Sequence, residues 1–306
     1  MIKRIRDIEQ YLDRKHPKVI GVAAAEDQDI MELVKEMEKR SMARFILVGN
    51  SERISELIEK NNISKNTVKI LHAPDHGEAA KTVVRLAKSG QCHLIMKGNL
   101  HTALFLKAVL DREQGLNAGK LLSQITVYDK PGEDGIQLMT DCAMAIAPSL
   151  EDKKAIIENA VELMRCLGYE CPKVALLSAL EVINPRIPDT LDAAVLSKMC
   201  ERGQITNCIV DGPLALDNAV SEDAARHKNI KSPVAGRADI LVFPNLQTAN
   251  CVFKSLVFFA KMDTAAVIMG TKVPVVMTSR TDTVANKMLS IMFSIYLSEK
   301  SADSHS

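Results

Sequence analysis

The chain has 306 residues, 47% of them hydrophobic and 25% charged, with 39 Lys and Arg set against 38 Asp and Glu. That length holds two α/β domains or one large one, and the composition is that of an ordinary soluble globular protein. A net charge of +1, 4% aromatic residues and no Trp remove the electrostatic and stacking case for nucleic acid or an anionic membrane.

Ile2, Ile5, Ile8 and Leu12 recur at helical spacing and predict an opening amphipathic helix. Apolar runs at 19–25, 45–48, 68–71 and 94–96 read as strands, alternating with helices marked by Ile30, Leu33, Val34 and Met37, then at 52–61 and 78–88. His101 and Thr102 open a further helix running to Asp111. Strands at 124–128 and 136–140 flank a turn carrying Pro131, Gly132 and Gly135, which predicts an antiparallel pair. A helix over 151–167 follows, opened by a Ser149…Asp152 capping box. Beyond it come a strand at 174–177, a helix at 190–202, and strands at 208–210 and 240–243. A helix at 248–260, strands at 265–269 and 273–277 and a last helix through Val284, Met288, Leu289 and Met292 complete the chain, whose 301–306 tail reads as frayed. This alternation predicts an α/β fold with doubly wound, largely parallel sheets.

Scattered cysteines at 92, 142, 166, 171, 200, 208 and 251, with no C-x-x-C pair, suit reduced thiols in a cytoplasmic setting. The opening MIKRIRDIEQYLDRK has neither the apolar core of a signal peptide nor the acid-poor character of a transit peptide. Lys254, Lys261 and Lys272 break the most apolar region, so no membrane-spanning run is expected.

Candidate chemistry gathers where strands end. After the strand at 273–277, Thr278, Ser279, Arg280 and Thr281 lead to Asp282, an N-cap for the last helix. In open α/β sheets such junctions bind ligands, and the free N–H groups of a helix start favour an anion. The plain alternative is a surface arginine, a turn serine and a cap. Lys97 and Gly98 close the strand at 94–96 and would face a similar crevice, unless Lys97 is a solvated loop lysine; His101 reads equally as a surface residue. Asp211 sits at the end of the strand at 208–210, where Gly212 and Pro213 redirect the chain, with Asp217 on the next segment; capping is the default for both carboxylates. Arg237 and Asn245 flank the strand at 240–243, with Asn250 on the following helix, and Asn245 lies nearer its carboxyl end. No G-x-G-x-x-G or P-loop is present, GLNAGK at 115–120 being one residue short of the latter, and neither a metal-ligand cluster nor a G-x-S-x-G elbow occurs.

Four ordered blocks carry a wider resemblance: M-K-G-N-L-H-T-A at 96–103, D-G-P-L-A-L-D-N-A at 211–219, A-G-R-A-D-I-L-V-F-P-N at 235–245 and V-P-V-V-M-T-S-R-T-D at 273–282. Together they resemble the phosphate acetyl/butyryltransferase family, and its butyryl branch more closely. The resemblance implies two α/β/α lobes of the isocitrate/isopropylmalate dehydrogenase type, 1–120 plus 268–306 and 121–267, with Ser279 and Arg280 facing the cleft between them. It implies reversible acyl transfer between coenzyme A and inorganic phosphate, with coenzyme A a substrate, no tightly bound cofactor, no metal, and a homodimeric state. Ser279, Arg280, Asp282 and Asp211 are then the catalytic candidates, and Lys97, Gly98, His101, Thr102, Lys107, Asn245 and Thr278 the binding ones. Three departures matter. Lys107 stands where the acetyl branch has an arginine, keeping the charge but losing the bidentate fork. Asn286 stands seven positions beyond the serine, where that branch has an aspartate as base, which leaves Asp282, or alternatively Asp211, for the proton. Thr281 replaces the glycine after the acetyl branch's Ser-Arg pair and favours a longer or branched acyl chain. An acyl-cysteine route through Cys142 or Cys251 has no activated-thiol signature behind it. Alternative readings are phosphate acyltransfer from an acyl-carrier protein and a CoA-binding protein without chemistry.

Overall fold

A computed structural model describes residues 1–279 and 281–303. Its first element is a helix, as the apolar spacing predicts. Ile5–Tyr11 is a 3-10 helix, and Ile2, Ile5 and Ile8 are all buried. Three residues per turn puts Ile5 and Ile8 on one buried face, while Leu12, four residues beyond Ile8, is buried just past the helix end and Tyr11 is 50% exposed.

In chain order there follow β1 (Lys18–Ala23), α1 (Gln28–Lys39), β2 (Ala43–Gly49), α2 (Ser51–Asn61), β3 (Val68–His72), α3 (His76–Lys88), β4 (Leu94–Lys97) and α4 (Thr102–Val109). Next come β5 (Ser123–Asp129), β6 (Ile136–Thr140), α5 (Leu150–Cys166), β7 (Lys173–Leu177), α6 (Pro188–Glu201) and β8 (Ile209–Leu214). The chain closes with α7 (Leu216–Val220), α8 (Glu222–His227), β9 (Ile240–Val242), α9 (Leu246–Phe258), β10 (Ala265–Met269), β11 (Val275–Val276) and α10 (Val284–Asp303). These form two compact units, one of Met1–Ile5 with Leu121–Thr264, the other of Arg6–Lys120 with the segment from Ala265 onward. The doubly wound α/β expectation holds. No helix among the described residues is long and apolar enough to cross a membrane.

In the unit containing β1, strands run in the order β3-β2-β1-β4-β11-β10. The pairs from β3 to β11 are parallel and β10 with β11 is antiparallel. Strand β1 therefore lies inside the sheet: the chain builds β2 and β3 outward on one side, then returns across β1 to lay β4 on the other. Right-handed crossovers put the connecting helices on opposite faces when the winding reverses, and α1 packs against α2 and α10 while α3 packs against α4. Between two oppositely wound connections the carboxyl ends of β1 and β4 are left uncovered. Strand β11 is shorter than the expected 273–277 and has mixed neighbours. Pro274 contributes only its carbonyl, accepting the Ile95 N–H at 3.1 Å, because proline has no N–H for a ladder.

The other unit orders its strands β5-β6-β9-β7-β8. The expected hairpin is present as antiparallel β5 and β6, closed by the Lys130 N–H on the Gly135 carbonyl at 2.8 Å. Strand β8 departs from expectation: it runs past Asp211 to Leu214 instead of stopping at the Gly-Pro, with a register shift opposite Ala175 and Leu177. An edge strand with a bulge accommodates proline, and Gly212 is required there because a Cβ would lie 2.7 Å from the Leu176 carbonyl. The short helices α7 and α8 carry too few residues to show a period.

Asp239, inside the third recognised block, has a structural task. Its Oδ1 meets Lys130 Nζ at 2.7 Å and its Oδ2 accepts the Lys173 N–H at 2.8 Å, both charged side chains being only 15% exposed. Removing one partner of a pair this buried leaves the other uncompensated. Asp239→Ala is expected to destabilise the protein by about 3 kcal/mol, read as a lower midpoint in urea unfolding.

Candidate active site

Strands β1, β4 and β11 are parallel neighbours, and their carboxyl ends meet at a pocket of about 130 Å³ lined by Asp27, Asp29, Lys97, Gly98, Asn99, Thr278, Ser279 and Lys287. This is the reversal point of the winding described above, where open α/β sheets bind ligands.

Lys97 is the last residue of β4, in register with Ala23 of β1, and is 8% exposed. Its ammonium lies 3.2 Å from the carbonyl oxygens of both Gly98 and Leu100, so it is a held cation and not a solvated loop lysine. The turn that holds it depends on glycine. Gly98 donates to the Ala23 carbonyl at 2.8 Å and Asn99 to the Ala24 carbonyl at 2.9 Å, and a Cβ at 98 would lie 2.3 Å from the Ala24 oxygen. Only a residue without a side chain lets the two backbones approach so closely.

Across the pocket, Thr278 is buried and Ser279 half-buried. The Ser279 N–H donates to Asp282 Oδ2 at 2.7 Å, and its hydroxyl lies 3.0 Å from the Thr281 hydroxyl while accepting the Thr281 N–H at 3.3 Å. The expected capping role of Asp282 falls instead to Thr283. Helix α10 begins at Val284, and the Thr283 hydroxyl accepts the Asn286 N–H at 3.2 Å. Asp282 closes the preceding turn, its own N–H reaching the Ser279 carbonyl at 3.2 Å. Arg280 lies outside the described residues. Asn286, at the position of the expected base, is 5% exposed.

Asp27, Asp29, Asn99 and Lys287 did not come out of the sequence reading. Asp27 caps α1, accepting from the Asp29 and Ile30 N–H groups. Lys287 carried a readable signal: it shares an α10 face with Val284, Met288 and Ile291, and a lysine on an apolar stripe needs a partner or a purpose. Its Nζ sits 2.9 Å from Asp29 Oδ2.

The remaining candidates are not among the residues lining that pocket. His101 precedes α4 and makes no side-chain cap hydrogen bond; both it and Thr102 are exposed. Lys107 lines a different pocket of about 470 Å³, with Lys81, Arg85, Leu104 and Asp111. Asp211 and Asn245 belong to the unit containing β7. Asp211 is inside β8, not at its end, and its Oδ1 accepts the Gly212 N–H at 2.8 Å. Asn245 caps α9 through the Thr248 N–H at 3.0 Å. Asp217 pairs with Lys228, Arg237 with Glu222, and the Asn250 amide donates to the Cys142 carbonyl at 3.2 Å.

Cys142 is fully buried, and burial pushes its thiol up to about 12, so at neutral pH it is no nucleophile. Cys251 is exposed on α9. Cys251→Ser is expected to keep turnover within about twofold of the unmodified chain, as a reaction without an acyl-cysteine requires; steady-state kinetics checks it.

Comparison with known proteins adds an independent line. A family model described as "Phosphate acetyl/butaryl transferase" matches residues 75–295. The chain is 42% identical to a phosphate butyryltransferase of Clostridium acetobutylicum, over 95% of this chain and 97% of that relative. It is 43% identical to a phosphate acetyltransferase of Thermotoga maritima, over 90% and 94%. Among solved structures, a branched-chain phosphotransacylase from Enterococcus faecalis superposes with a TM-score of 0.82 at 35% identity, covering 92% of this chain and 99% of the other.

Proposed function

Because the chain belongs to the phosphate acetyl/butyryl transferase family, we infer that it moves a short acyl group between coenzyme A and inorganic phosphate: acyl-CoA + phosphate ⇌ acyl phosphate + CoA. The observation that carries a site for this reaction is the gathering of Lys97, Thr278 and Ser279 in one pocket at the carboxyl ends of β1, β4 and β11.

In the direction of acyl-CoA synthesis, the thiolate of coenzyme A attacks the carbonyl carbon of an acyl phosphate. A C–S bond forms, charge gathers on the carbonyl oxygen, and the C–O bond to phosphate then breaks, its electron pair leaving with phosphate. Ser279 supplies a hydroxyl donor to these oxygens, Arg280 a guanidinium and Lys97 a fixed ammonium, each better matched to the charged transition state than to the neutral carbonyl. A free thiol has a reference pKa of about 8.5, so a base assists near neutral pH. Asn286 cannot accept the proton, and Asp282, whose carboxylate is already at the Ser279 backbone, takes that role, with Asp211 the alternative. Transfer is direct, within a ternary complex.

The acyl preference is butyryl or a similar chain. Thr281 and the butyryl-branch resemblance support this, while identities of 42% and 43% to butyryl and acetyl enzymes weigh equally. Coenzyme A acts as a substrate, no tightly bound cofactor takes part, and the protein works as a cytoplasmic homodimer in short-chain fatty acid metabolism. One assay tests the reading: phosphate is supplied with acetyl-, butyryl- or isobutyryl-CoA and free thiol is followed. Release from the short CoA esters, fastest with the four-carbon ones, is expected. Release only from an acyl-carrier protein thioester, or tight CoA binding with no release, contradicts it.

A further inference from the structure

Lys287 has a burial that its pairing with Asp29 does not explain. Its side chain is 6% exposed, whereas that of Asp29, which holds it at 2.9 Å, is 55% exposed. An ammonium carries three donors, and among the described residues Asp29 is its hydrogen-bond partner. A salt bridge with one group half in water is screened and adds little to stability, while sinking the other group into the protein is costly. The pair would serve stability as well, or better, with both ends at the surface.

The pocket gives the burial a purpose. Lys287 and Lys97 line the same small cavity as Thr278 and Ser279, and two sunken cations repel each other unless an anion lies near both. Two carboxylates are present, but neither fills the cavity. Asp27 is committed to the first N–H groups of α1, at 2.9 Å from Asp29 N and 3.3 Å from Ile30 N, and Asp29 is turned largely to solvent. The sheltered charge is therefore positive. At about 130 Å³, the cavity is well below the roughly 300 Å³ at which drug-sized ligand sites begin, a size for a tetrahedral oxyanion and not for a nucleotide.

We propose that Lys287 is a second phosphate-binding cation of the Ser279 pocket, held in place by Asp29 in the empty site and transferred to the oxygens of inorganic phosphate when that substrate enters. This rests on the acyltransferase reading above. The same chemistry would suit a phosphate group of coenzyme A, and the kinetics separate the two sources.

The test compares the full chain with Lys287→Met and Lys287→Arg. Methionine replaces the buried stem with an apolar one of similar length, and Asp29 is exposed enough to lose its partner without being stranded, so the variant is expected to fold. Losing one charge-assisted contact should raise the KM for phosphate about tenfold or more, with the KM for butyryl-CoA changed less than about twofold, and Lys287→Arg should recover most of the loss. The rise in Tm produced by phosphate alone should shrink in Lys287→Met to the same extent. An unchanged phosphate KM in an active, folded Lys287→Met protein overturns the proposal. So does a raised butyryl-CoA KM with phosphate unaffected, which would assign the lysine to a phosphate of the coenzyme. Failure of the unmodified chain to release thiol at all is a different result and counts against the acyltransferase reading itself.

Discussion

Arg280→Ala is expected to lower phosphate-dependent thiol release from butyryl-CoA by about a hundredfold or more while the protein remains folded. Arg280 follows Ser279 directly in the sequence, between β11 and α10, and the proposed mechanism assigns it to the oxygens that gain charge in the transition state. A preorganised donor aimed at developing charge is worth more than a typical surface contact. Lysine at the same position should recover only part of the loss, since it keeps the charge but not the planar fork. Unfolding midpoint and turnover must be measured on the same preparation. Near-normal turnover in a normally stable Arg280→Ala protein removes the arginine from the assigned chemistry.

Gly98→Ala is expected to be the most damaging of the small substitutions around the pocket. The added carbon would lie 2.3 Å from the Ala24 oxygen and 2.6 Å from the Ala23 oxygen, and both are backbone atoms that no rotamer change can move aside. The ends of β1 and β4 must separate, weakening the hydrogen bonds of Gly98 and Asn99 to those carbonyls. Overpacking of this kind costs about 2–3 kcal/mol, or roughly 3–5 °C in Tm for a chain of this length. The displaced residue next in line is Lys97, and displacement of a positioning group by 1 Å can cost about a hundredfold in rate. Stability and turnover should therefore fall together. A Gly98→Ala protein with unchanged Tm and phosphate KM would show that the turn yields at no cost.

The contrast between Lys97 and Asp211 shows what the sequence made legible. Both were read as strand-end residues beside a glycine. For Lys97 that held, because Gly98 turns the chain tightly against β1 and fixes the lysine at the pocket wall. For Asp211 it failed, because an edge strand absorbs Gly-Pro as a bulge and continues, and local turn signals do not reveal which strand will be an edge. Alternation of apolar runs and amphipathic helices fixed the elements of both units, but not the order β3-β2-β1-β4 that puts the switch point beside Lys97, since strand order depends on contacts between distant segments. The opening apolar residues mark a helix but not its type, since Ile2, Ile5, Ile8 and Leu12 fit an α-helix as well as a 3-10 helix. By residue type Asp282 is the better cap, yet Thr283 stands one place nearer the helix and Asp282 closes the Ser279 turn. Lys287 is marked in the sequence by its place on an apolar helix stripe, a weak signal because most helix lysines are solvated, and its burial in the fold makes that signal decisive.

A crystal structure of the protein with inorganic phosphate and coenzyme A bound tests the central claim most directly. The account predicts a phosphate oxygen within about 3 Å of Lys97 Nζ and of the Ser279 hydroxyl, with the coenzyme's sulfur reaching the same pocket. Phosphate and sulfur brought together elsewhere, with that pocket empty at saturating concentrations of both, would contradict it.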